Sequence, residues 1–576
     1  MAYKWVALSN TTLGVLMASI NATIVMISLP MIFRGIGVDP MAPGQTGMLL
    51  WVLMGYQLAT TILLVTFGRI SDGYGRVRLY NLGFLIFTAG AILASLTWGR
   101  GAAGEIQLIV FRMIQGVGGA FLFANSAAIL TDAFPPDQRG LALGINQIAG
   151  TVGSIAGLVL GGVLAAVNWR WVFLVSVPIG LAGTVWAYVA LREIGERKPQ
   201  PLDLWGNVTF AAGLTAILVA LTEGLMPYGG ASMGWGNPLI RAGLAAGVLL
   251  LALFVWIEGR VPHPMFRLDL FRNRAFAAGN VSGFLASLAR GGLQFMLIIW
   301  LQGVWLPLHG VPFDQTPLRA GIDTIPMMLG FVLAGPLSGA LSDRHGARLF
   351  ATGGMLLSAL GFWLLTTLPA DFSYPLFAFY IFLMGVGMGL FASPNSSSIM
   401  NAVPPEHRGV ASGMRSTFQN AGQMMSMAVF FTIVISGLGS RLPEAMRAGV
   451  AGLHLPGPVV TGLVGIPPLA ALFSAILGYN PLGMLLPPAL LHALPGATAR
   501  TLLSERFFAN LVAAPFLESL RVAFLISVGM SLVAAVASML RGQRYVWEEE
   551  GGKSPAPVRE AMAPPGESLD GEQSAP

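Results

Sequence analysis

Long apolar runs, each broken by a short cluster of charge, proline or glycine, recur along almost the whole chain. Marking the breaks predicts helical spans near residues 5–33, 47–68, 79–98, 106–133, 141–167, 171–191, 204–223 and 239–257. A second series follows near 275–304, 319–341, 348–368, 376–400, 410–436 and 516–540. Each is close to the roughly 20 apolar residues that cross a bilayer as a helix. Runs as continuous as Leu79 to Trp98 lack the alternation of a membrane β-barrel. The expected fold is an all-α polytopic membrane protein of fourteen spans.

An even number of spans puts both termini on one side. Loops after even-numbered spans carry Arg69, Arg76, Arg78, Arg139, Arg344, Arg348 and Arg408, whereas the opposite short loops hold little beyond Arg34, Arg100 and Arg170. The positive-inside rule makes the basic side, and with it both termini, cytoplasmic. Only Lys4 precedes an apolar run reaching Phe33, which is too long for a cleavable signal and reads as a retained first span. Residues 437–515 are apolar but cut by prolines, and the run Ala470 to Tyr479 is too short to cross. This segment reads as an external cap of interfacial helices. From Arg541 the chain turns to Glu, Pro, Gly and Ser, the composition of a disordered tail.

Composition excludes several functions. Charged residues are 10% of the 576 and hydrophobic ones 55%, with mean hydropathy +0.71; soluble domains are about 25% charged. With no cysteine, neither a disulfide nor a thiolate metal site is available. The net charge of +6 is spread between apolar runs, an orientation signal and not a nucleic-acid patch. No H-E-x-x-H or phosphate-binding G-x-x-x-x-G-K-[ST] occurs, and His263, His309, His345, His407, His454 and His492 are scattered. No enzyme constellation, metal site or cofactor is expected.

An internal repeat organises the chain. Gly68-Arg-Ile-Ser-Asp72-Gly-Tyr-Gly75-Arg76-Val-Arg78 returns as Gly339-Ala-Leu-Ser-Asp343-Arg344-His-Gly346-Ala-Arg348, an offset of 271 from 68 to 339. Pro135-Pro-Asp137-Gln-Arg139-Gly140 returns as Pro404-Pro-Glu406-His-Arg408-Gly409, and Gly116-Val-Gly118 as Gly385-Val-Gly387, both at an offset of 269 (139 to 408, 116 to 385). Spans 1–6 thus map onto spans 9–14 in the same orientation. The expected domains are a six-helix bundle over 1–191, an inserted helix pair with its loops over 192–260, a second bundle over 261–540 that includes the loop 437–515, and a tail over 541–576.

At these residues the sequence resembles the major facilitator superfamily, and within it the fourteen-span drug:proton antiporter branch. The loop 68–78 is close to the superfamily signature G-x-L-x-D-R-x-G-R-R, with Gly73 and Val77 at two of its Arg positions. The resemblance implies a conformational latch made of Gly68, Asp72, Gly75 and Arg76, with Asp132 as the partner of Arg76, repeated at Gly339, Asp343, Arg344, Gly346 and Arg348. Gly75 suits a tight turn and Asp72 a helix N-terminus. Span 4 contains Arg112-Met-Ile-Gln115-Gly116-Val-Gly118, close to the family's R-x-x-Q-G-x-G. Arg112 either faces a functional interior, where intramembrane charge is normally found, or snorkels to the nearby interface. Gly153, Gly157, Gly161 and Gly162 approximate the antiporter signature G-x-x-x-G-P-x-x-G-G, with Leu158 in place of its Pro, and four-residue spacing of glycines also serves helix packing.

One departure touches the mechanism. Ile20-Asn21-Ala-Thr23-Ile-Val-Met-Ile-Ser28-Leu-Pro30 matches the branch's D-x-T-I-V-x-x-A-L-P except that Asn21 replaces the acid, and Asn carries no proton at physiological pH. Candidates for substrate or proton coupling are Asn21, Arg112, Gln115, Gln147, Arg290, Gln294, Asp323 and Arg415. Asp323 follows Arg319 by four residues, a spacing that favours a local ion pair, and Glu223 and Glu258 fall near span ends and read as interfacial. The resemblance implies a monomeric secondary transporter that exports lipophilic or amphipathic small molecules by alternating access in exchange for protons. Asn21 keeps an uncoupled or differently coupled facilitator of metabolites or anionic compounds as the alternative.

Overall fold

The computed structural model describes every residue except 1–2, 40–44, 136–137, 195–202, 227, 230–232, 263, 405–406, 452–456, 478–479, 481–495 and 543–576. The chain is helical, and fourteen of its helical stretches are long and apolar enough to cross a membrane. The first half comprises α1 (Tyr3–Ile36), α2 (Gln45–Tyr74), α3 (Arg76–Ser95), α4 (Ala102–Ala133), α5 (Arg139–Val167) and a sixth span of α6 (Trp171–Leu174) and α7 (Ser176–Ala190). Helices α8 (Leu204–Glu223) and α9 (Pro238–Glu258) pack on each other as a pair. The ninth span runs through α10 (Arg274–Arg290), α11 (Leu293–Trp300), a π turn at Leu301–Trp305 and α12 (Leu306–Leu308). The tenth is α13 (Thr316–Asp323) with α14 (Ile325–His345), followed by α15 (Ala347–Thr366), α16 (Tyr374–Asn401) and α17 (Arg408–Val450). Short helices α18 (Gly457–Val464), α19 (Pro468–Leu477) and α20 (Gly496–Leu503) lead to the last span, α21 (Glu505–Met539).

The sequence repeat is also a packing repeat. A Cβ on Gly116 would lie 2.5 Å from the Tyr56 carbonyl oxygen, and one on Gly385 would meet the equivalent Met327 oxygen. Gly118 lies against Gly83 and Phe87 on α3, and Gly387 against Gly354 and Ser358 on α15. Each Gly-x-Gly therefore lets its helix touch two neighbours through backbone, which a side chain would prevent. A polar bond recurs one position out of register: Asn146 Nδ2 donates to Ser126 Oγ at 2.8 Å, and its equivalent Arg415 donates through Nη1 at 2.9 Å to Ser396 Oγ, next to Asn395, the equivalent of Ser126. Gly75 and Gly346, at φ 111° and 84°, make the turns into α3 and α15 that a side chain would strain.

The segment expected as an external cap differs from that expectation. Helix α17 continues to Val450 through Pro443, and α21 begins at Glu505 and runs through Pro515. These extensions pack on each other: Gly437 faces Ser519, Gly449 faces Leu511, and Arg441 Nε lies 2.7 Å from Glu518 Oε2. Nor does α19 lie on the surface. All ten of its residues are buried, packed against α1, α2, α17, α21 and the π turn, with Phe473 stacked on Phe431. An apolar decapeptide too short to span buries all its sides only by filling a gap between longer helices. The prolines at 456, 481, 487, 488 and 495 and the tail beyond residue 542 lie outside the described residues.

Two faces can be told apart by contacts. Lys4 Nζ bonds Gln138 Oε1 at 2.7 Å and Tyr3 Oη bonds the Arg192 carbonyl at 2.7 Å, so the start of α1 shares a face with the ends of α4 and α7. We call this the terminal face and its opposite the far face. At the far face the halves are in contact. A Cβ on Gly162 of α5 would lie 2.4 Å from Leu318 Cα of α13, and one on Gly321 2.9 Å from the Leu158 oxygen. Gln302 Nε2 donates to the Ile27 carbonyl at 3.2 Å, Arg34 Nε to the Leu477 carbonyl of α19 at 2.9 Å, and the Arg34 guanidinium stacks 3.6 Å above the Phe313 ring.

Candidate functional site

Helices α1, α2 and α4 cross where Arg112 enters the first bundle. On α4, Glu105, Leu108, Arg112 and Gln115 share one buried face, as spacings of three, four and three residues dictate. Arg112 is 1% exposed. Its Nη1 donates to Asn21 Oδ1 and, at 2.8 Å, to Gln115 Oε1, while Nε reaches the Val52 carbonyl at 3.4 Å. The Tyr56 ring lies 4.5 Å from the guanidinium carbon. Arg112 therefore does not snorkel, because its length is spent on partners inside the bundle. All of these partners are neutral. Asn21 is itself fully buried and donates to Ser176 Oγ at 3.4 Å, so the position where the resemblance places an acid supplies a dipole to the guanidinium and no counter-charge.

The other candidates are dispersed. Arg290 stands at the end of α10, where 290 maps on 21 at the repeat offset of 269; it is half-buried, with no hydrogen-bond partner among the described residues. Gln294 is half-buried with an unpartnered Nε2. Arg415 holds Ser396, and Gln147 is exposed on α5. Asp323 is buried while Arg319 is exposed, and no ion pair joins them among the described residues, although both lie on the one helix α13. Glu258 is also buried, contrary to its interfacial reading, because the loop behind α9 folds back and the Phe266 N–H donates to Oε2 at 3.0 Å. Glu223 accepts from Trp51 Nε1 at 3.1 Å at the far face.

In the loop expected as a latch, Arg76 Nη1 lies 2.6 and 2.7 Å from Asp132 Oδ1 and Oδ2. The second half has Ala347 and Asn401 at the equivalent positions, so this ion pair is not repeated there. Gly68 and Gly339 lie beside Ala124 and Ser393, while Arg344 and Arg348 are exposed. The side chains of Asp72, Asp343, Arg139 and Arg408 lie outside the described residues, as do Asp137 and Glu406. The four glycines of α5 divide. Gly153, Gly157 and Gly161 lie against Leu16, Ile20 and Ile24 of α1, whereas Gly162 faces α13 of the other half.

Three groups escaped the sequence reading. Glu193, counted as loop, caps α3 by accepting from the Arg76 and Val77 N–H groups at 2.9 and 3.1 Å. Arg541, assigned to the tail, is 3% exposed and donates to Asn395 Oδ1 and Ser282 Oγ; burial holds its guanidinium down to about 10. Glu105 is 0% exposed, and neither carboxyl oxygen has a hydrogen-bond partner among the described residues. Its signal was present: it precedes Arg112 by seven residues, two helical turns on the same face.

Two bundles built on one repeat, joined at one face and holding a charged residue sealed between helices, define a transporter of the two-bundle membrane type. The chain belongs to the Major Facilitator Superfamily, whose family model matches residues 11–305 and 280–455. It is 29% identical over 97% of its length to the "Tetracenomycin C resistance and export protein" of Streptomyces glaucescens, covering 95% of that protein. It is 30% identical to the "Multidrug resistance protein B homolog" of Mycobacterium tuberculosis, over 73% of this chain and 74% of that one. The "Riboflavin transporter RibZ" of Clostridioides difficile is 29% identical, over 76% of this chain and 90% of that one. Among solved structures, a bacterial homologue of the lysosomal transporter Spinster superposes with a TM-score of 0.55 at 15% identity, over 94% and 97% of the two chains, a likeness of fold.

Proposed function

We propose that this protein is a monomeric secondary transporter of a plasma membrane, its terminal face cytoplasmic, which exports lipophilic or amphipathic small molecules by alternating access in exchange for protons. The observation that carries the reading is the pairing of a repeat of two bundles with contacts that close them at the far face, while Arg112 sits in a network spanning three helices of one bundle. Rocking the bundles about a site between them exposes that site to one side at a time. The export and resistance relatives support the substrate class. Proteoliposomes test it: an imposed pH gradient is expected to drive accumulation of ethidium, and ethidium entry to move protons. No accumulation and no proton movement with any of a panel of lipophilic dyes refutes proton antiport. Arg112→Ala is expected to abolish transport in protein that still elutes as a monodisperse species.

Asn21 in place of an acid, together with the riboflavin relative, favours a second reading: a facilitator of metabolites that moves no proton. Riboflavin equilibration that is insensitive to an imposed pH gradient supports it.

A further inference from the structure

We propose that Glu105 is a proton-binding residue of this transporter: its carboxyl holds a proton while the far face is closed and releases it to far-side water when that face opens. The inference goes beyond the proton-coupled reading above: a proton lost and regained at one face does not cross the membrane, so Glu105 makes opening of that face pH-dependent and is not the coupling group that the missing acid of α1 would have been.

Three carboxyl residues among those described are at least nine-tenths buried: Glu105, Glu258 and Asp323. Glu258 belongs to the inserted pair, outside both bundles, and has a backbone donor. Asp323 retains some exposure, at 9%. Glu105 has both oxygens sealed and without a donor. A helix-capping role fails on the same fact, since Glu105 lies in the first turn of α4, where free N–H groups are at hand, yet accepts from none. Among the described residues no charge pairs with it. On α1, Lys4 lies at the terminal end and Arg34 is turned to Leu477 and Phe313. On α2 and α3 the charged residues Arg69, Asp72, Arg76 and Arg78 are at the terminal face, and Tyr56 is stacked on Arg112. Asp39 lies in the loop after α1 and Arg100 before α4. On α4 itself Arg112 is two turns away, about 10 Å, and Asp132 is paired with Arg76.

A carboxylate so placed is stripped of water, donors and counter-charge, a state strongly disfavoured against the neutral acid. The turn before α4 is tied to α1 by the Gly101 N–H to Ile36 carbonyl bond of 2.8 Å. What covers α1 and α2 at this end is α19 and the π turn. Parting the halves admits water here. The carboxylic acid then gives its proton to water as hydronium, leaving the carboxylate, and regains one before the cover returns.

The chain has no cysteine, so paired spin labels report far-face opening directly. Val167 at the end of α5 and Asp314 beside α13 are both exposed. With Val167→Cys and Asp314→Cys labelled in liposomes, the open, long-distance population is expected to rise with pH. Glu105→Gln, neutral and of the same shape, is expected to lose that response and stay closed, while Glu105→Asp keeps it. An unchanged pH response in Glu105→Gln overturns the proposal, as does its loss in Asp323→Asn with retention in Glu105→Gln. If the unsubstituted protein moves no protons with ethidium but Glu105→Gln still abolishes the pH response, antiport is refuted while the Glu105 site stands.

Discussion

Adding one methyl group at Gly162 separates closure of the far face from folding of the first bundle. A Cβ there would sit 2.4 Å from Leu318 Cα and 2.6 Å from its nitrogen. Carbon atoms in contact rest about 3.5–4 Å apart, so α5 and α13 must part by roughly 1 Å, and since both groups are backbone no rotamer change relieves the clash. Overpacking of this kind costs about 1–3 kcal/mol. In Gly162→Ala that penalty falls only on the closed state, because opening removes α13 from α5. At about 1.4 kcal/mol per factor of ten, the closed-to-open ratio falls by roughly 5- to 150-fold, read from the label distance between Val167→Cys and Asp314→Cys. Gly157→Ala is the control. Its Cβ would meet Thr23 Oγ1 and the Ile20 carbonyl at 2.2 and 2.6 Å within the same bundle, so it lowers the melting temperature without changing the distance distribution. An unchanged distribution in Gly162→Ala, or the same shift in both variants, refutes the division of these glycines between the two interfaces.

Asn21→Asp gives the Arg112 guanidinium a counter-charge at an atom it already bonds. The variant is expected to be more stable by roughly 3 kcal/mol, the order of cost for leaving one partner of a buried pair uncompensated; a lower melting temperature in detergent refutes the picture of a charge held by dipoles alone. Arg76→Ala and Asp132→Ala each lose about 1–2 kcal/mol, a charged hydrogen bond discounted because both side chains are about a quarter exposed, and the double variant is expected to cost no more than the worse single one. At the terminal face, the hydrogen bond from Arg267 holds the Asp269 carboxyl below its ordinary value. Its folded value lies below its unfolded one, so the stabilisation is present above about pH 4 and is lost as pH falls through the folded value. With Asp269 half-exposed, Asp269→Asn costs under about 1 kcal/mol at pH 7 and progressively less as pH falls through the folded value, measured by thermal melts.

Much of this architecture was legible because the bilayer imposes it locally. A span must be a run of apolar residues whose backbone bonds close within the helix, and the Gly-x-Gly pairs and loop glycines of the repeat mark positions where backbone meets backbone or φ is positive. The site was legible only in part. Arg112 and Gln115 stand out as polar residues in an apolar run, whereas Glu105 falls one residue outside the span expected over 106–133. The segment 437–515 was misjudged because proline content predicts a break, while the mutual packing of α17 and α21 and the Arg441–Glu518 pair carry both helices past their prolines.

The sequence by itself determined that this protein is a fourteen-span helical membrane protein of two repeated halves, and that position 21 lacks an acid, since hydropathy, spacing and residue identity are properties of neighbours along the chain. Only the tertiary structure decided that Arg112 bonds Asn21, that Gly162 faces the opposite half while Gly157 does not, that α19 fills a gap between helices, and that Glu105 is sealed without a partner. Burial and pairing depend on which distant segments arrive at the same place, and a one-dimensional pattern does not carry those distances.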